Sequence, residues 1–421
     1  MGTLLKGARL VELEPATCER ADLRIQGGRI VARGELSPEP GDEVIELDGH
    51  WVLPGLVSAH HALSSTLLRG LPREVGFAHE QRVLHRFQSA LDLDDLQAAA
   101  AAGGLEGLMS GTTTVFDVTA APKCVLGSLT RVAHGLNDVG LRAVIAAEVS
   151  DRHGGVVREE ALDETSTFGP RARGRFRGAL AFAHLGGLSD DALSGISQLL
   201  GLTKLFVLGA LGEDRAEEDQ SLKRFEKTPV ARLVEAGLVG AKSVLAQGVH
   251  VSWPELSELL AGGAWLAHAS RSNMASQTGL ATAAKFGVRG CFATHLMSLD
   301  VLTEAQTAWL RARDSGQPID ALRFLANGQR LASEVFGLTI GPLRENAVAD
   351  LLVLDYQPPT LVDETTLAAH ILTGLSPRHI ESVMVDGIWR SWKRTPLGVK
   401  PAEVARAAQE SAKAVWARVN E

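Results

Sequence analysis

Cysteine and aromatic residues are scarce in this chain, and neither sign of charge is in large excess. Its 421 residues include three cysteines, Cys18, Cys124 and Cys291, an odd and widely spaced set that excludes zinc-finger spacing and favours a reducing, cytoplasmic compartment. Aromatic residues make up 5%, with Tyr356 the one tyrosine, so stacking is not expected to dominate recognition. The formal net charge of −8 argues against nucleic acid or an anionic membrane as a partner.

Long apolar runs and targeting segments are also missing. No stretch of about twenty apolar residues occurs, so we expect no membrane-spanning helix. The first residues lack the charged and apolar regions of a signal peptide, which predicts no such peptide. The glycine pairs 103–104, 186–187 and 262–263 lack the strand–turn–helix context of a dinucleotide-binding loop.

Predicted strands and helices alternate through the middle of the chain. Helices are predicted over 93–110, 126–140, 190–200, 230–236 and 253–260. Strands are predicted over 111–117, 142–148, 177–184, 205–208, 243–248, 264–268 and 290–295. With a first strand after Pro54-Gly55, this alternation predicts a parallel α/β barrel of eight strands.

The stretch 51–65 carries the most informative motif. An apolar run is interrupted by Pro54-Gly55 and ends in His60-His61. This stretch resembles the first barrel strand of the amidohydrolase superfamily, P-G-[LIF]-[VI]-x-x-H-x-H. The segments 270–274, 326–329 and 349–356 resemble SsnA-type putative aminohydrolases and chlorohydrolase-like deaminases of that superfamily.

The resemblance implies the fold and its division. It implies an α/β protein with a (β/α)8 TIM barrel and a small composite β-sandwich domain from both chain ends. The implied bounds are 1–55 and 336–397 for the sandwich, 56–335 for the barrel and 398–421 for a C-terminal helix. Residues 341–355 are similar to a superfamily signature in which Asn346 replaces a glycine. Because asparagine tolerates left-handed backbone, we expect that turn to be kept.

The resemblance also implies a metal centre, and its first-strand ligands are altered here. The family pattern places two histidines two positions apart, so that both rings leave one face of the strand. His60 keeps the first position, and Ala62 occupies the second. Adjacent strand residues point to opposite faces, so His60 and His61 are not expected to share a metal.

The other implied ligands are replaced as well. No histidine lies between His184 and His250, so the fifth-strand ligand is missing, although Glu213 is a candidate for the family's acid/base glutamate. Gln247 stands at the sixth-strand histidine and His295 at the eighth-strand aspartate. An amide is a poor ligand for zinc or iron.

Two functional hypotheses follow. The first is that metal-dependent hydrolysis is lost, that no cofactor is bound, and that the protein is a structural, regulatory or binding subunit. The alternative is an active amidohydrolase or deaminase that hydrolyses a C–N bond of a nitrogen heterocycle. Its zinc or iron would be held in a rearranged site by His60, His295 and His184, with His250 as a further candidate.

Further site residues and partners are predicted by the same resemblance. Glu213 and His295 are the candidate catalytic residues. Arg271, Ser272 and Asn273 are candidate substrate-binding residues, because this loop holds substrate in relatives, and structural inheritance stays equally open. A homo-oligomer or a complex with another protein is expected, with a possible small-molecule ligand and neither nucleic acid nor membrane as partner.

Overall fold

The computed structural model describes residues 2–71 and 76–420. Its strands are β1 (Gly2–Leu13), β2 (Ala16–Gln26), β3 (Arg29–Gly34), β4 (Asp42–Glu46), β5 (Trp51–Pro54), β6 (Leu56–His61), β7 (Thr112–Thr119), β8 (Arg142–Val149), β9 (Phe176–Phe182), β10 (Phe206–Leu211), β11 (Ser243–Gln247), β12 (Trp265–His268), β13 (Gly290–Phe292), β14 (Leu351–Leu354), β15 (Ile380–Val385), β16 (Ile388–Trp392) and β17 (Thr395–Pro396). Its helices are α1 (Phe77–Gln88), α2 (Leu93–Met109), α3 (Ser128–Val139), α4 (Gly155–Phe168), α5 (Asp190–Thr203), α6 (Arg215–Phe225), α7 (Pro229–Glu235), α8 (Trp253–Ala261), α9 (Ser270–Ala275), α10 (Val301–Asp314), α11 (Ala321–Phe336), α12 (Leu367–Ala369) and α13 (Pro401–Asn420).

Strands β6 to β13 form the barrel. Each is hydrogen-bonded in parallel to the next strand in sequence. The two outer strands meet where a parallel bridge joins His61 to His295, and the carbonyl of His60 accepts the N–H groups of Thr294 and His295 at 3.1 and 3.0 Å. The predicted (β/α)8 barrel is therefore confirmed.

Small and branched side chains fill the inside of the barrel. Val57 and Ala59 of β6 and Phe206 and Leu208 of β10 belong to one buried apolar cluster with the inward residues of the other strands. Because strand residues alternate between faces, the intervening residues pack against the helices instead. A filled interior leaves the rims of the barrel as the places for a binding site.

The two chain ends together build one mixed sheet of nine strands. Its hydrogen-bonded order is β17-β16-β15-β14-β5-β1-β2-β3, and β4 pairs with β1. The ends meet in the antiparallel pair β5–β14, where Leu351 lies opposite Pro54 and Leu354 opposite Trp51. The expected small domain from both ends is thus present as a single sheet, whereas the residue bounds of the three predicted segments stay a prediction.

A buried ion pair joins this sheet to the barrel. Arg142, the first residue of β8, donates to both carboxylate oxygens of Asp350 at 3.0 and 3.2 Å. The same carboxylate accepts the N–H of Asp386 at 2.6 Å, and the Asp350 carbonyl accepts the N–H of Gly55 at 2.9 Å. A bidentate, charge-assisted pair of this kind fixes orientation as well as contact.

The sequence patterns predict most elements and miss others. Strands β15 and β16 pair as an antiparallel hairpin, and Asn346 adopts the expected left-handed backbone with φ of 67°. The eighth strand ends at Phe292, before the predicted 295, because the following residues turn across to His60. The patterns do not predict α1, α4, α9 and α10. No helix within the described ranges is long and apolar enough to cross a bilayer.

Candidate active site

The C-terminal ends of the barrel strands surround a narrow cavity. Side chains from the ends of β6, β8, β9, β10 and β13 line it, and α1 covers its mouth. The polar lining includes His60, Glu148, Arg152, His184, Glu213 and His295. This rim is where barrel enzymes place their active sites.

The two adjacent histidines of β6 have different surroundings. The pairing of β6 with β7 shifts register between Ser58 and His61. His60 lines the cavity, whereas Nδ1 of His61 lies 2.8 Å from Oγ1 of Thr294 in the barrel closure. Burial, together with the nearby His295, lowers the pKa of both rings to about 3, so both are neutral at neutral pH. His60 is thus the one that faces the cavity.

Glu213 is the central polar group of the cavity. Gln247 Nε2 donates to its Oε1 at 3.1 Å, and His295 Nε2 lies 3.3 Å from the same oxygen. Its Oε2 has no hydrogen-bond partner among the described residues, and His184 Nδ1 is 3.9 Å away. Burial alone raises the pKa of Glu213, but His295 and His184 hold it below its ordinary value. Glu213 is therefore an ionised carboxylate at the cavity wall, with one buried oxygen left unpaired.

The residues around Glu213 are strained and incompletely paired. Gln247 and His295 have φ of 78° and 45°, in the left-handed region that residues other than glycine rarely adopt. Within the described chain, Gln247 Oε1 and His60 Nδ1 have no hydrogen-bond partner, and neither ring nitrogen of His295 has one. Strained backbone and unpaired buried polar atoms both destabilise a fold, so their coincidence in one place indicates a functional site.

Helix α1 is tied to the walls of the cavity by polar contacts. Gln81 Oε1 lies 3.2 Å from His184 Nε2, and the Phe77 ring meets the His184 ring edge-on at 5.7 Å. On the other side, Ser276 Oγ donates to Glu80 at 2.5 Å. His184 thus contacts α1 through one nitrogen and faces Glu213 with the other.

The predicted substrate loop lies outside this cavity. Arg271 donates to Glu304 at 2.7 Å and to the side chain and backbone of Ser298 at 2.9 and 2.8 Å, so its guanidinium is used within the fold. Ser272 and Asn273 are buried, and the side-chain amide of Asn273 has no partner in the described part of the chain. The structure does not bring these three residues to Glu213, and their substrate-binding role stays a prediction.

The predicted residue His250 lies outside the cavity, whereas two residues that the sequence patterns do not suggest line it. His250 lies away from the cavity, with its Nε2 2.8 Å from the carbonyl oxygen of Thr278. Glu148 and Arg152 line the cavity 3.8 Å apart, and the sequence interpretation does not include them. Glu148 closes the predicted third strand, and the end of a barrel strand is the signal that could have identified it.

Comparison with known proteins adds the family. The sequence profile of the Amidohydrolase family matches residues 51–390. The chain belongs to this family. It is 26% identical over 389 residues to a 5-methylthioadenosine/S-adenosylhomocysteine deaminase of Haloarcula marismortui, covering 88% of each chain. The protein of the same name from Desulforudis audaxviator is 27% identical over 417 residues, covering 93% of this chain and 94% of that one.

Solved structures share the fold along nearly the whole chain. A zinc-bound adenosine deaminase from Xanthomonas campestris superposes with a TM-score of 0.85 at 18% identity, covering 99% of this chain and 98% of that one. Atrazine chlorohydrolase from Arthrobacter aurescens TC1, complexed with zinc, gives 0.83 at 22% identity, with coverage of 97% and 100%. At such identities the likeness establishes the common fold alone.

The cavity supplies only some of the donor atoms that a zinc ion needs. His60, His295 and Glu213 offer imidazole nitrogens and a carboxylate oxygen, which zinc accepts. Across residues 2–71 and 76–420, however, no three His, Cys, Asp or Glu side chains are arranged to hold a metal ion. Ala62 and Ala210, which also face the cavity, contribute no donor. The residues as placed therefore do not fit a resident zinc ion. The similar solved structures, however, contain zinc, so they do not support the expectation of a metal-free protein.

The comparisons favour one of the two functional hypotheses. The similar proteins carry the names of deaminases, and nothing in the matches indicates lost hydrolysis. The expectation of a subunit without chemistry therefore lacks support from relatives. The alternative, an active enzyme with a rearranged site, agrees better with them.

Proposed function

We propose that this amidohydrolase-family protein hydrolyses a C–N bond of a nitrogen heterocycle in the cavity of His60, Glu213 and His295. The observation that carries the proposal is the arrangement of Glu213. Two neighbours hold one carboxylate oxygen and leave the other unpaired beside the cavity. A buried, ionised carboxylate with a free oxygen is suited to accept a proton from water.

In this proposal Glu213 acts as the general base. Its Oε2 takes a proton from a water molecule while the water oxygen forms a bond to the ring carbon that bears the amino group, and the electron pair of the neighbouring C=N bond moves to the ring nitrogen. The proton then passes from Oε2 to the amino nitrogen, the electron pair returns to re-form the C=N bond, the bond to the amino nitrogen breaks, and ammonia leaves. One water is consumed for each ammonia released, and the carboxylate is regenerated.

The histidines around Glu213 orient the reacting groups. His60 is a neutral imidazole with an unpaired buried nitrogen, so it can exchange a hydrogen bond with a ring nitrogen of the substrate. His184 Nδ1 lies 3.9 Å from the unpaired oxygen, too far for a hydrogen bond, and its charge helps to lower the pKa of Glu213. Gln247 fixes the opposite oxygen and thereby the plane of the carboxylate.

A panel of amino-substituted heterocycles tests the proposal. Purified protein is assayed for ammonia release from adenine nucleosides, cytosine and aminotriazines. Glu213→Gln keeps the shape of the side chain and removes the base, so turnover should fall by roughly 10²–10⁴-fold. The control is Glu164→Gln: Glu164 is a buried carboxylate on α4 that accepts the N–H groups of Gly127 and Leu129 at 2.8 and 3.1 Å and does not line the cavity. Folded wild-type protein that releases no ammonia from any member would contradict the proposal.

A second candidate function is ligand binding without hydrolysis. The observation that favours it is the presence of Ala62 on the cavity wall, where the resemblance implies a histidine ligand. Titration calorimetry on the same panel separates the two functions, because a binding protein would hold a heterocycle that it does not consume. The expected oligomer also stays a prediction, which light scattering checks directly.

A further inference from the structure

Glu217 of α6 joins the two loops that carry His184 and Glu213. Its Oε1 accepts the N–H of Leu185, the residue after His184, at 2.7 Å. Its Oε2 accepts the N–H of Gly212, the residue before Glu213, at 2.7 Å. One carboxylate therefore contacts the backbone of both loops, one residue away from each site side chain.

The surroundings of Glu217 leave it little freedom. The residue is 6% exposed, and both of its oxygens are used by these two N–H groups. The opposite side of the first loop is held by Arg232, which donates to the carbonyl of Leu185 at 2.9 Å. The second loop is held at Gly212, whose carbonyl accepts the N–H of His250 at 2.8 Å.

We infer that Glu217 is a positioning residue that sets the separation of His184 and Glu213 through these two backbone hydrogen bonds. The inference rests on the proposed function for its effect on turnover, but its geometric content does not. Both oxygens belong to one planar group, so a shift of either loop must move the other loop or break a bond. The 3.9 Å between His184 Nδ1 and Glu213 Oε2 is then a consequence of Glu217.

Glu217→Gln is the sharpest variant. The amide keeps one acceptor oxygen and turns an NH2 group toward the other backbone N–H, so one loop is released while the side-chain volume is kept. Glu164→Gln is the matched control, because Glu164 is also buried and also accepts two backbone N–H groups, in loops that carry neither His184 nor Glu213. Both variants should lose a similar amount of thermal stability.

The two variants should differ in turnover. Because misplacing a catalytic group by about 1 Å can cost on the order of 100-fold, kcat of Glu217→Gln should fall by that order while KM stays within about twofold. The same assay on Glu164→Gln should give the wild-type kcat. Equal kcat in the two variants would overturn the inference, since a merely structural role affects both alike.

A second measurement decides the inference even if no substrate is turned over. Backbone amide hydrogen exchange at Leu185 and Gly212 should be slow in the wild type, and faster at one or both in Glu217→Gln. A crystal structure of the variant should show the His184–Glu213 separation changed. If the wild type is inactive, the proposed function fails and these readouts still apply. Unchanged exchange and an unchanged separation would exclude the positioning role.

Discussion

Two buried carboxylates at opposite ends of the barrel, Asp350 and Glu213, differ in how completely they are paired. At the end next to the small sheet, Asp350 receives two bonds from Arg142 and one from Asp386. At the opposite end, Glu213 has a free oxygen and the His295 ring nitrogens have no hydrogen bond in the described chain. Paired groups stabilise the joint between the domains, whereas unpaired groups cost stability and remain available to a ligand. Asp350 therefore helps to build the fold, whereas Glu213 is available for chemistry.

The largest expected effect comes from breaking the ion pair between Arg142 and Asp350. Arg142→Ala leaves Asp350 charged and buried without its cationic partner, which should lower the free energy of unfolding by about 3–5 kcal/mol. Urea denaturation measures it. The double variant Arg142→Met/Asp350→Leu should recover a large part of the loss, because the uncompensated charge is gone. A single variant as stable as the wild type would show that the ion pair does not hold the sheet to the barrel.

The next effect depends on pH and concerns Asp117, a buried carboxylate near the C-terminal end of β7. Asp117 accepts the N–H of Leu63 at 2.6 Å, at the start of the 3₁₀ turn Leu63–Leu68, and its other oxygen accepts the Thr119 hydroxyl at 2.7 Å. Burial raises its pKa from 3.8 to about 6. The folded state therefore holds this proton more tightly than the unfolded state, so the contribution of Asp117 to stability is fully present below pH 3.8 and is lost as the pH rises through about 6.

The variant Asp117→Asn removes that dependence. The difference in unfolding free energy between variant and wild type should shift in favour of the variant by about 3 kcal/mol from pH 4 to pH 7, at about 1.4 kcal/mol per pKa unit. Other titrating groups cancel in the difference. A difference that stays constant with pH would mean that Asp117 is not a buried, proton-binding group.

A smaller effect should distinguish Gln247, which is only partly hydrogen-bonded, from Gln306, whose amide bonds hold the fold. Gln247→Met removes the bond to Glu213 together with an unpaired oxygen, so stability should change by less than about 1 kcal/mol while kcat falls roughly tenfold. Gln306→Met is the contrast, because Gln306 donates to the carbonyls of Ile371 and Leu375 at 3.0 and 2.8 Å. That variant should lose stability and keep its turnover. The reverse pattern would refute the comparison.

The smallest expected signal is the metal content. Because Ala62 and Ala210 supply no donor, purified protein should hold well under one equivalent of zinc by elemental analysis. A variant carrying Ala62→His, Ala210→His, Gln247→His and His295→Asp should gain zinc affinity, since these side chains would converge on one point. Stoichiometric zinc in the wild type would show that the residues rearrange to bind it.

The sequence predicts the frame of the site better than its contacts. The strand pattern places His60 and Gln247 at strand ends, the family resemblance adds Glu213, and all three meet around the cavity or its carboxylate. The same alternation cannot predict α1, since its position depends on contacts made by Gln81 and Glu80 with distant loops.

The direction of a long side chain is similarly beyond a strand pattern. Arg271 follows a predicted strand and was expected to face a substrate, but it turns to Glu304 of α10. Only the folded chain brings that helix beside α9. Local periodicity fixes which element a residue lies on, and tertiary contacts decide where its polar atoms point.

The barrel closure has a consequence for how the protein folds. The Ser58 and Thr294 hydroxyls that meet there, 2.8 Å apart, are separated by 236 positions in the sequence. Bringing such distant segments together costs chain entropy that is recovered only when the last strand arrives, so this contact is expected to form late and slowly. His60 and His295 stack across the same junction, with ring centroids 5.4 Å apart. Binding at this pair would therefore report the final step of folding, and a partly folded barrel could hold its helices and still have no place for a ligand.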